Sequence, residues 1–315
     1  MRTITALFVG LGSIGTRHLK NLANLCADRG WTLQADALRS DLTRPLRPGA
    51  AELLHAQYTD LAAAPAHYDM VFITNPTSLH AEALRQVKGR GEALFIEKPI
   101  FSAEQTGLAL DELLPAGQKA YVAAPMRWCG AMLALKDRLP ALHPYCARVI
   151  CSSYLPDWRP GVDYRTVYSA RKALGGGVTI DLIHEWDYLV ELFGKPEKMY
   201  NFKGTYSHLE IDSDDLSVYI AQYPTLLCEV HLDYFGREYR RSIEILCKNG
   251  TVTADFGAGT LTLEDGTVQN YAEPVNERYL REMAYFLDYA QSGAGPSVNT
   301  PETALDVLKL TLGEL

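Results

Sequence analysis

Three features are missing from this sequence, and each absence narrows the range of functions. No apolar run approaches the ~18 residues that a membrane-spanning helix needs, so the sequence predicts no such helix. The six cysteines form no Cys-x-x-Cys pair and no framework spacing, which indicates reduced and mostly buried thiols. A basic excess is also missing, because the net charge is -8, and this gives no support for a nucleic-acid-binding surface.

What the sequence does have is enough apolar material for a large core. Its 315 residues are 47% hydrophobic, which predicts about two domains. The first residues form a strand that leads directly into a glycine turn and do not resemble a removable signal peptide, so we expect a cytoplasmic protein. The net negative charge still permits an anionic small substrate held by a few local arginines.

A strand, a glycine turn and a helix follow one another at the N-terminus. Residues 3–9 are rich in β-branched and apolar side chains, residues 10–15 read Gly-Leu-Gly-Ser-Ile-Gly, and helix formers continue over residues 16–25. This order is typical of a dinucleotide-binding fingerprint. The chain is therefore expected to bind a nicotinamide dinucleotide.

Each glycine of this turn has a distinct expected role. Gly10 permits the sharp turn, Gly12 lets the backbone approach a pyrophosphate, and Gly15 lets the helix pack closely on the strand. The unpaired N–H groups at the start of the helix, with Ser13 and Ile14, are expected to face the phosphates.

The end of the second predicted strand, residues 31–38, bears on the choice of cofactor. An acidic residue at this point accepts the ribose hydroxyls of NAD, whereas an arginine accommodates the 2′-phosphate of NADP. Arg39 and Ser40 follow the strand, while Asp36 lies three residues inside it. The sequence therefore favours NADP(H); if Arg39 is only an exposed loop charge, both NADP(H) and NAD(H) are expected to bind.

The loop after the next apolar strand, residues 69–74, is expected to lie at the cofactor. Ligands of a doubly wound sheet bind beyond the carboxyl ends of its strands. This rule places Asn75, Pro76 and His80 beside the dinucleotide. His80 is expected to orient backbone or cofactor rather than to carry out chemistry.

A pair of charges follows the buried strand predicted over residues 93–96. Glu97 and Lys98 stand where charges are normally excluded unless they are paired or used. Pro99 biases the backbone of Lys98 toward extended geometry, which aims its ammonium group. The residues alone leave a functional and a structural role for Lys98 equally open.

Beyond residue 122 the pattern changes to short strands separated by turns. Asn-Gly at 249–250 and Asp-Gly at 265–266 predict tight hairpins, and helices are predicted over residues 277–291 and 301–312. We therefore predict an α/β chain with an N-terminal Rossmann domain, a doubly wound parallel sheet in residues 1–122. Residues 123–315 are predicted to form a C-terminal α+β domain with a largely antiparallel open sheet, one face of which stays available for a partner.

The glycine turn, the loop from Asn75 to His80 and the Glu97-Lys98-Pro99 sequence together resemble the Gfo/Idh/MocA oxidoreductase family. The family is named for glucose–fructose oxidoreductase and inositol dehydrogenase, and the resemblance covers essentially the whole chain. It implies that Lys98 contacts a substrate hydroxyl and the nicotinamide ribose. It also implies a homo-oligomer formed through the open face of the C-terminal sheet, and no metal site is predicted.

A glycine run at 175–177 precedes a predicted helix with a polar row. Asp181, His184 and Asp187 lie three residues apart, and a histidine between carboxylates suits proton transfer near neutral pH. A solvated charged face is the structural alternative. The family carries Asp-x-x-x-His here, and its resemblance implies that His184 exchanges a proton while Asp181 orients it. Because this chain reads Asp-x-x-His, either residue could occupy the catalytic position.

Residues 154–172 lack periodicity but are dense in aromatic, arginine and aspartate side chains, which suit polar ligands. This segment resembles a signature of the family branch found among enzymes of surface-polysaccharide and nonulosonic-acid sugar metabolism. Arg159, Arg165 and Arg171 are candidates to hold a carboxylate or phosphate, and Tyr164 is a further candidate substrate contact. The alternative is a self-packed loop with internal salt bridges, or part of a dimer interface.

Arg127 lies where the family connects its two domains, after a proline that replaces the family's usual asparagine, and it is a candidate for the rim of the substrate site. The prediction as a whole is an NADP(H)-dependent oxidoreductase. It would move a hydride between nicotinamide and a secondary alcohol or ketone of a sugar-like, acidic or nucleotide-linked substrate. The alternatives are an NADP-sensing regulator without turnover and a reductase of an imine, a dihydrodiol or a tetrapyrrole.

Overall fold

A computed structural model describes residues 2–292 and 295–315, which divide into two compact units. The first unit comprises Met1–Ala123 and Tyr279–Leu305, and the second comprises Ala124–Arg278 and Asp306–Leu315. The strands are β1 (Thr3–Val9), β2 (Thr32–Leu38), β3 (Leu54–Tyr58), β4 (Tyr68–Ile73), β5 (Gly91–Ile96), β6 (Lys119–Val122), β7 (Cys146–Tyr154), β8 (Lys198–Gly204), β9 (Leu216–Gln222), β10 (Leu227–Asp233), β11 (Phe235–Cys247), β12 (Gly250–Asp255), β13 (Thr260–Thr262) and β14 (Val268–Asn270). The α-helices are α1 (Ser13–Asp28), α2 (His80–Gln86), α3 (Leu110–Leu113), α4 (Gly130–Leu142), α5 (Val178–Asp181), α6 (His184–Phe193), α7 (Asn276–Ser292) and α8 (Pro301–Leu312).

The first unit is built on a parallel sheet with the strand order β3-β2-β1-β4-β5-β6. Every neighbouring pair in this sheet is parallel. The chain order reverses between β1 and β4, which is the switch point of a doubly wound fold. The predicted Rossmann fold is therefore confirmed, and its glycine turn lies at that switch point.

Aromatic side chains fill the core of the first unit. Phe8 stacks on Phe72 with ring centroids 4.4 Å apart, and Phe95 lies 5.3 Å from Phe72. Phe286 of α7 meets Phe95 at 5.2 Å, so a helix from late in the chain covers the sheet formed early in the chain.

The second unit is built on a sheet with the order β14-β13-β12-β11-β7-β10-β9-β8. Its pairs are antiparallel except for β7 with β10, which is parallel. The exception follows from the long connection after β7, because a parallel neighbour requires a crossover rather than a hairpin. The predicted largely antiparallel sheet is confirmed, and Trp186 of α6 packs on Tyr219 of β9 at 5.2 Å.

The sequence patterns do not predict two of the elements, β3 and α4. β3 is short, with the polar residues His55 and Gln57 on its exposed side, so it lacks an apolar run. Helix α4 contains Pro140 one turn from its end, where proline normally stops a helix. Among the described residues, no helix has both the length and the apolar character required to span a membrane.

Candidate functional site

At two glycines of the turn after β1, close contacts leave no room for a side chain. Gly10 has φ of +81°, and a Cβ there would lie 2.7 Å from the Asn75 Cα atom. A Cβ on Gly15 would lie 2.6 Å from Thr74 Oγ1. In contrast, nothing lies within 4 Å of a Cβ placed on Gly12. Packing explains Gly10 and Gly15, whereas Gly12 faces open space where a ligand can approach.

Helix α1 begins at Ser13 with an uncapped N-terminus. Its N-cap residue Gly12 provides no side-chain hydrogen bond, and its first turn carries no acidic residue. The N–H groups of Ser13, Ile14 and Gly15 have no partner within the helix and are available to an anion. With the space above Gly12, this end of α1 fits the pyrophosphate of a dinucleotide.

The residue that follows β2 is positively charged, and the one carboxylate within the strand is buried. Asp36 is 3% exposed and accepts hydrogen bonds from Tyr68 Oη at 2.8 Å and from His55 Nδ1 at 3.1 Å. Because Asp36 is buried and engaged, it is not placed to accept ribose hydroxyls. Arg39 and Ser40 follow the strand, and the Arg39 guanidinium donates to Gln57 Oε1 at 2.7 Å.

His80 joins the loop after β4 to the segment after Lys98. Its Nδ1 lies 3.1 Å from the Ile100 carbonyl oxygen and its Nε2 lies 3.0 Å from the Asn75 carbonyl oxygen. Burial lowers the pKa of His80, although both carbonyl contacts oppose that shift in part. A neutral imidazole has a single N–H and donates to one of these two carbonyl oxygens, so His80 lies between the loop after β4 and the segment after Lys98 with one hydrogen bond at a time.

Lys98 follows β5, and the buried carboxylate of Glu97 holds its backbone. Glu97 Oε2 accepts from the Lys98 amide at 3.1 Å, and Glu97 Oε1 lies 2.5 Å from Nε2 of the buried His18. Burial alone would raise the pKa of Glu97, but the His18 hydrogen bond and the charges of His18 and Lys98 lower it. The peptide between Lys98 and Pro99 is cis. The Lys98 ammonium makes no hydrogen bond or ion pair within the described part of its own unit.

His18 is a residue that sequence reasoning missed. It lies three positions after Gly15 on the buried face of α1, and this spacing was the only signal. Its Nδ1 has no hydrogen-bond partner in the part of the chain that the structure describes.

In the second unit, the predicted helix with a polar row is interrupted. Helix α5 ends at Asp181, α6 begins at His184, and Ile183 and Glu185 donate to the carbonyls three residues earlier. This tightening disrupts the regular helical spacing, so the prediction of one continuous polar flank is wrong.

The expected contact between Asp181 and His184 is also wrong. The two oxygens of Asp181 accept hydrogen bonds from Tyr168 and Tyr234, the latter at 2.5 Å. Burial and the charge of Asp181 raise the pKa of both phenols, so both remain protonated donors. Sequence reasoning missed these two tyrosines, although Tyr168 lies in the aromatic loop it had selected.

Two of the three glycines before α5 lie against other protein atoms, whereas nothing lies within 4 Å of a Cβ placed on Gly175. A Cβ on Gly176 would lie 2.0 Å from the Tyr168 carbonyl oxygen. A Cβ on Gly177 would lie 2.3 Å from Oδ1 of Asp214, which also accepts from the Thr179 amide through Oδ2 at 2.9 Å. The run therefore fixes the loop and helix α5 against each other.

Arg127, predicted at the rim of a substrate site, is buried and engaged with two carboxylates. It is 5% exposed, and its Nε and Nη2 donate to Asp187 at 3.0 and 2.8 Å. Its Nη1 donates to Glu191 at 2.7 Å. Asp187 and Glu191 lie four residues apart on α6 and present two carboxylates to one side, so a buried cation here is a structural partner.

The loop from 155 to 174 is a series of 3₁₀ turns in which the arginines differ. Arg165 is already paired, because it donates to Asp163 and to Glu210 at 2.9 Å each. The amide of Glu210 also donates to Tyr164 Oη at 3.2 Å. Arg159 and Arg171 are exposed, and their guanidinium groups make no hydrogen bond or ion pair within the described residues of this unit.

Comparison with known proteins agrees with this geometry. Residues 4–123 match the model of the Gfo/Idh/MocA oxidoreductase family, described as an NAD-binding Rossmann fold. Inositol 2-dehydrogenase of Rhizobium meliloti is 25% identical over 332 residues, which cover 96% of this chain and 94% of that protein.

Solved structures share the fold over nearly the whole chain. The UDP-N-acetylglucosamine 3-dehydrogenase of Acidithiobacillus ferrooxidans superposes with a TM-score of 0.74 at 19% identity, covering 99% of this chain and 97% of that one. The WlbA dehydrogenase of Bordetella pertussis, solved with NADH and UDP-GlcNAcA, gives 0.75 at 19% identity, covering 99% and 95%. Residues 4–123 therefore match the NAD-binding Rossmann fold of the Gfo/Idh/MocA oxidoreductase family, and the chain shares the fold of these dehydrogenases over nearly its whole length.

Proposed function

We propose that this chain is an NADP(H)-preferring dehydrogenase of a secondary alcohol on a sugar-like, anionic substrate. The observation that carries the proposal is the placement of Lys98. It follows β5, two strands from β1 and its glycine turn, in a sheet whose parallel strands end at one edge. Its amide is fixed by Glu97 while its ammonium is left unpaired within its unit.

The preference for NADP(H) is supported by the end of β2. Arg39 and Ser40 stand there, and the nearest acid within the strand, Asp36, is buried under Tyr68 and His55. A guanidinium suits the 2′-phosphate, whereas a carboxylate suits free ribose hydroxyls. The nicotinamide, when bound, supplies or accepts the hydride.

Lys98 would polarise the oxygen of the reacting carbon. An ammonium group stabilises the negative charge that develops on a carbonyl or alkoxide oxygen during hydride transfer. The proton of the hydroxyl needs a separate acid or base. His184 and Asp181 are the candidates for that role in the second unit.

An anionic substrate is supported by the two exposed arginines of the loop. Arg159 and Arg171 have unpaired guanidinium groups, whereas Arg165 is held by Asp163 and Glu210. Arginine binds carboxylates and phosphates through paired N–H groups. Of the related proteins named above, one is an inositol dehydrogenase, one is a UDP-N-acetylglucosamine dehydrogenase, and one was solved with UDP-GlcNAcA. A sugar nucleotide or an acidic sugar would engage these arginines.

A second copy of this chain is the proposed partner of the outer sheet face. On adjacent strands, Tyr200 pairs with Ile220, and Phe202 lies beside them on β8. Tyr200 and Phe202 are 66% and 71% exposed. Large aromatic side chains on one exposed face are typical of an interface between protein copies.

Turnover of the purified protein tests the proposed function. Absorbance at the reduced-nicotinamide band would be followed with NADP or NAD and a panel of myo-inositol, UDP-N-acetylglucosamine and its uronic acid. We expect turnover, with NADP preferred, and a loss of about 100-fold or more in kcat for Lys98→Ala. Cofactor binding without turnover, unchanged in Lys98→Ala, would contradict the proposal and favour a dinucleotide sensor.

A further inference from the structure

The buried carboxylate of Asp181 is held by two phenols of unequal exposure. Asp181 is 6% exposed and Tyr234, which donates to its Oδ2, is 0% exposed. Tyr168 donates to Oδ1 and is 44% exposed. Of the two tyrosines, Tyr168 is the one with side-chain surface that a bound molecule can reach.

Tyr168 is held in place by contacts on its own backbone. The chain at Gly176 lies so close that a Cβ would be 2.0 Å from the Tyr168 carbonyl oxygen. The next carbonyl, that of Ser169, accepts from Ser213 Oγ at 2.7 Å. These contacts fix the loop before any ligand binds, as a proton-transfer group requires.

Charged groups surround the two phenols in different ways. The charge of Asp181 raises the pKa of both phenols. The charge of Arg159 lowers the pKa of Tyr168, whereas that of Asp214 raises the pKa of Tyr234. Arg159 is an exposed cation, so the outer side of Tyr168 is also the side that attracts an anionic ligand. Substrate recognition and proton exchange can therefore occur at adjacent residues of the same loop.

We propose that Tyr168 is a catalytic residue that exchanges the substrate proton by relay with Asp181. The inference rests on the proposed function. In oxidation, the C–H bond breaks and its electron pair leaves as hydride to an oxidised nicotinamide. The hydroxyl proton passes to Tyr168 Oη, the Tyr168 proton passes to Asp181, and the C–O bond becomes a carbonyl. Reduction runs the same transfers in reverse.

This relay assigns Asp181 a role different from the one expected of it. Asp181 acts through Tyr168 as the proton store, and His184 is not needed to carry the proton. The carboxylate, buried and in contact with both phenols, is fixed on the protein side while the outer phenol meets the substrate.

Paired phenylalanine variants test the relay. Tyr168→Phe and Tyr234→Phe each remove one hydroxyl donor from the same carboxylate and keep the ring. On the panel substrate with the highest kcat/KM, we expect Tyr168→Phe to lower kcat by about 100-fold or more, with KM changed by less than about threefold. Tyr234→Phe is expected to lower kcat by less than about fivefold, because its hydroxyl meets only protein.

Solvent isotope effects separate proton relay from a structural role. In mixtures of H₂O and D₂O, the wild type and His184→Gln should show a curved dependence of kcat on deuterium content, as two moving protons produce. Asp181→Asn and Tyr168→Phe should lose that curvature. Far-ultraviolet circular dichroism and the melting temperature would confirm that each variant is folded.

The outcomes distinguish the relay from the proposed function. If the wild type turns over a substrate but Tyr168→Phe keeps its kcat, or loses no more than Tyr234→Phe, the relay alone is overturned. Loss of the curvature in His184→Gln but not in Tyr168→Phe would overturn it as well. If the wild type turns over no substrate of the panel, the proposed function is overturned and the relay with it.

Discussion

At the scale of single residues, the choice between the two nicotinamide cofactors depends on Arg39. Its guanidinium stands at the end of β2 and donates to Gln57, while the only acid inside the strand is buried. Arg39→Ala should weaken NADP binding by roughly 10- to 100-fold, because a charge-assisted contact is worth about 1.5–3 kcal/mol. Binding of NAD, measured by fluorescence titration, should change by less than about twofold.

Arg44→Ala is the matched control for this variant. The Arg44 side chain is 80% exposed, and Arg39 contacts only its backbone oxygen. NADP affinity should therefore survive that change. Equal losses of NADP and NAD affinity in Arg39→Ala would point to a damaged β2 loop and not to a lost phosphate contact.

Because of His80, the free energy of unfolding should fall as the pH drops below the pKa of an unfolded histidine. Burial lowers the pKa of His80 in the folded chain, so the unfolded chain binds the proton more readily. This contribution is present above the unfolded pKa of about 6.5 and is lost as pH falls toward the lower folded pKa. The slope reaches at most about 1.4 kcal/mol per pH unit.

Urea unfolding across neutral and mildly acidic pH measures this effect. The difference in unfolding free energy between the wild type and His80→Gln should shrink as pH falls below about 6.5. His67→Gln is the control, because the His67 side chain is 57% exposed and its neighbour Glu92 is exposed as well. A difference that stays constant with pH would assign the titration to another group.

At the scale of elements, one glycine of the turn after β1 is required by packing and another by the space that a ligand would occupy. Gly15 is confined by Thr74, whereas the space around Gly12 is open. Gly15→Ala should cost about 1–3 kcal/mol of stability through overpacking. Gly12→Ala should fold with stability within about 0.5 kcal/mol of the wild type and yet bind the dinucleotide at least tenfold more weakly.

Thermal unfolding together with cofactor titration checks both variants. Gly107→Ala serves as the neutral reference, since nothing lies within 4 Å of a Cβ there. Tight dinucleotide binding by Gly12→Ala would exclude the open space above this glycine as the pyrophosphate position.

Arg127 neutralises two carboxylates of helix α6. Arg127 is buried against Asp187 and Glu191. Arg127→Met removes the guanidinium from the buried Asp187 and from Glu191, which keeps its contact with Lys136, and should cost about 3 kcal/mol. Chemical denaturation measures the loss, with the exposed Arg159→Met as the control. A cost below about 1 kcal/mol would show that water replaces the guanidinium.

The break between α5 and α6 shows where sequence patterns reach their limit. Leu182 and Trp186 are both buried, so the apolar stripe that predicted a single helix is real. The start of α5 is held by Asp214, which lies 35 residues from Thr179 in the sequence, and the tightened turn at 183 and 185 follows it. Side-chain spacing cannot report such contacts.

At the scale of the whole molecule, both sheets could be predicted because their strands are marked locally. Apolar runs before glycine or proline mark β1, β4 and β5, and two hairpin dipeptides mark the later strands. Partner choice for charged residues could not be predicted, as Arg127 and Asp181 show. A charged side chain in a sequence does not indicate whether it faces a ligand or another part of the chain.

The outer face of the second sheet predicts an assembly of two or more copies. Phe202→Glu places a charge in an exposed apolar patch and should shift the protein toward monomer in sedimentation velocity. Val268→Glu, on the far strand β14, changes an equally exposed side chain (61%) and should leave the mass unchanged. A wild type that sediments as a monomer would remove this face from the proposal.

The first unit is assembled from two separate stretches of chain, and Phe286 from the later one seals the aromatic core of the earlier one. Transplanting the nucleotide-binding half into another enzyme therefore needs both stretches. A graft limited to residues 4–123 would carry every residue of the phosphate turn and of the Glu97-Lys98 pair. It would nevertheless leave Phe72 and Phe95 bare on one side, and misfolding or self-association of such a chimera would say nothing against its cofactor chemistry.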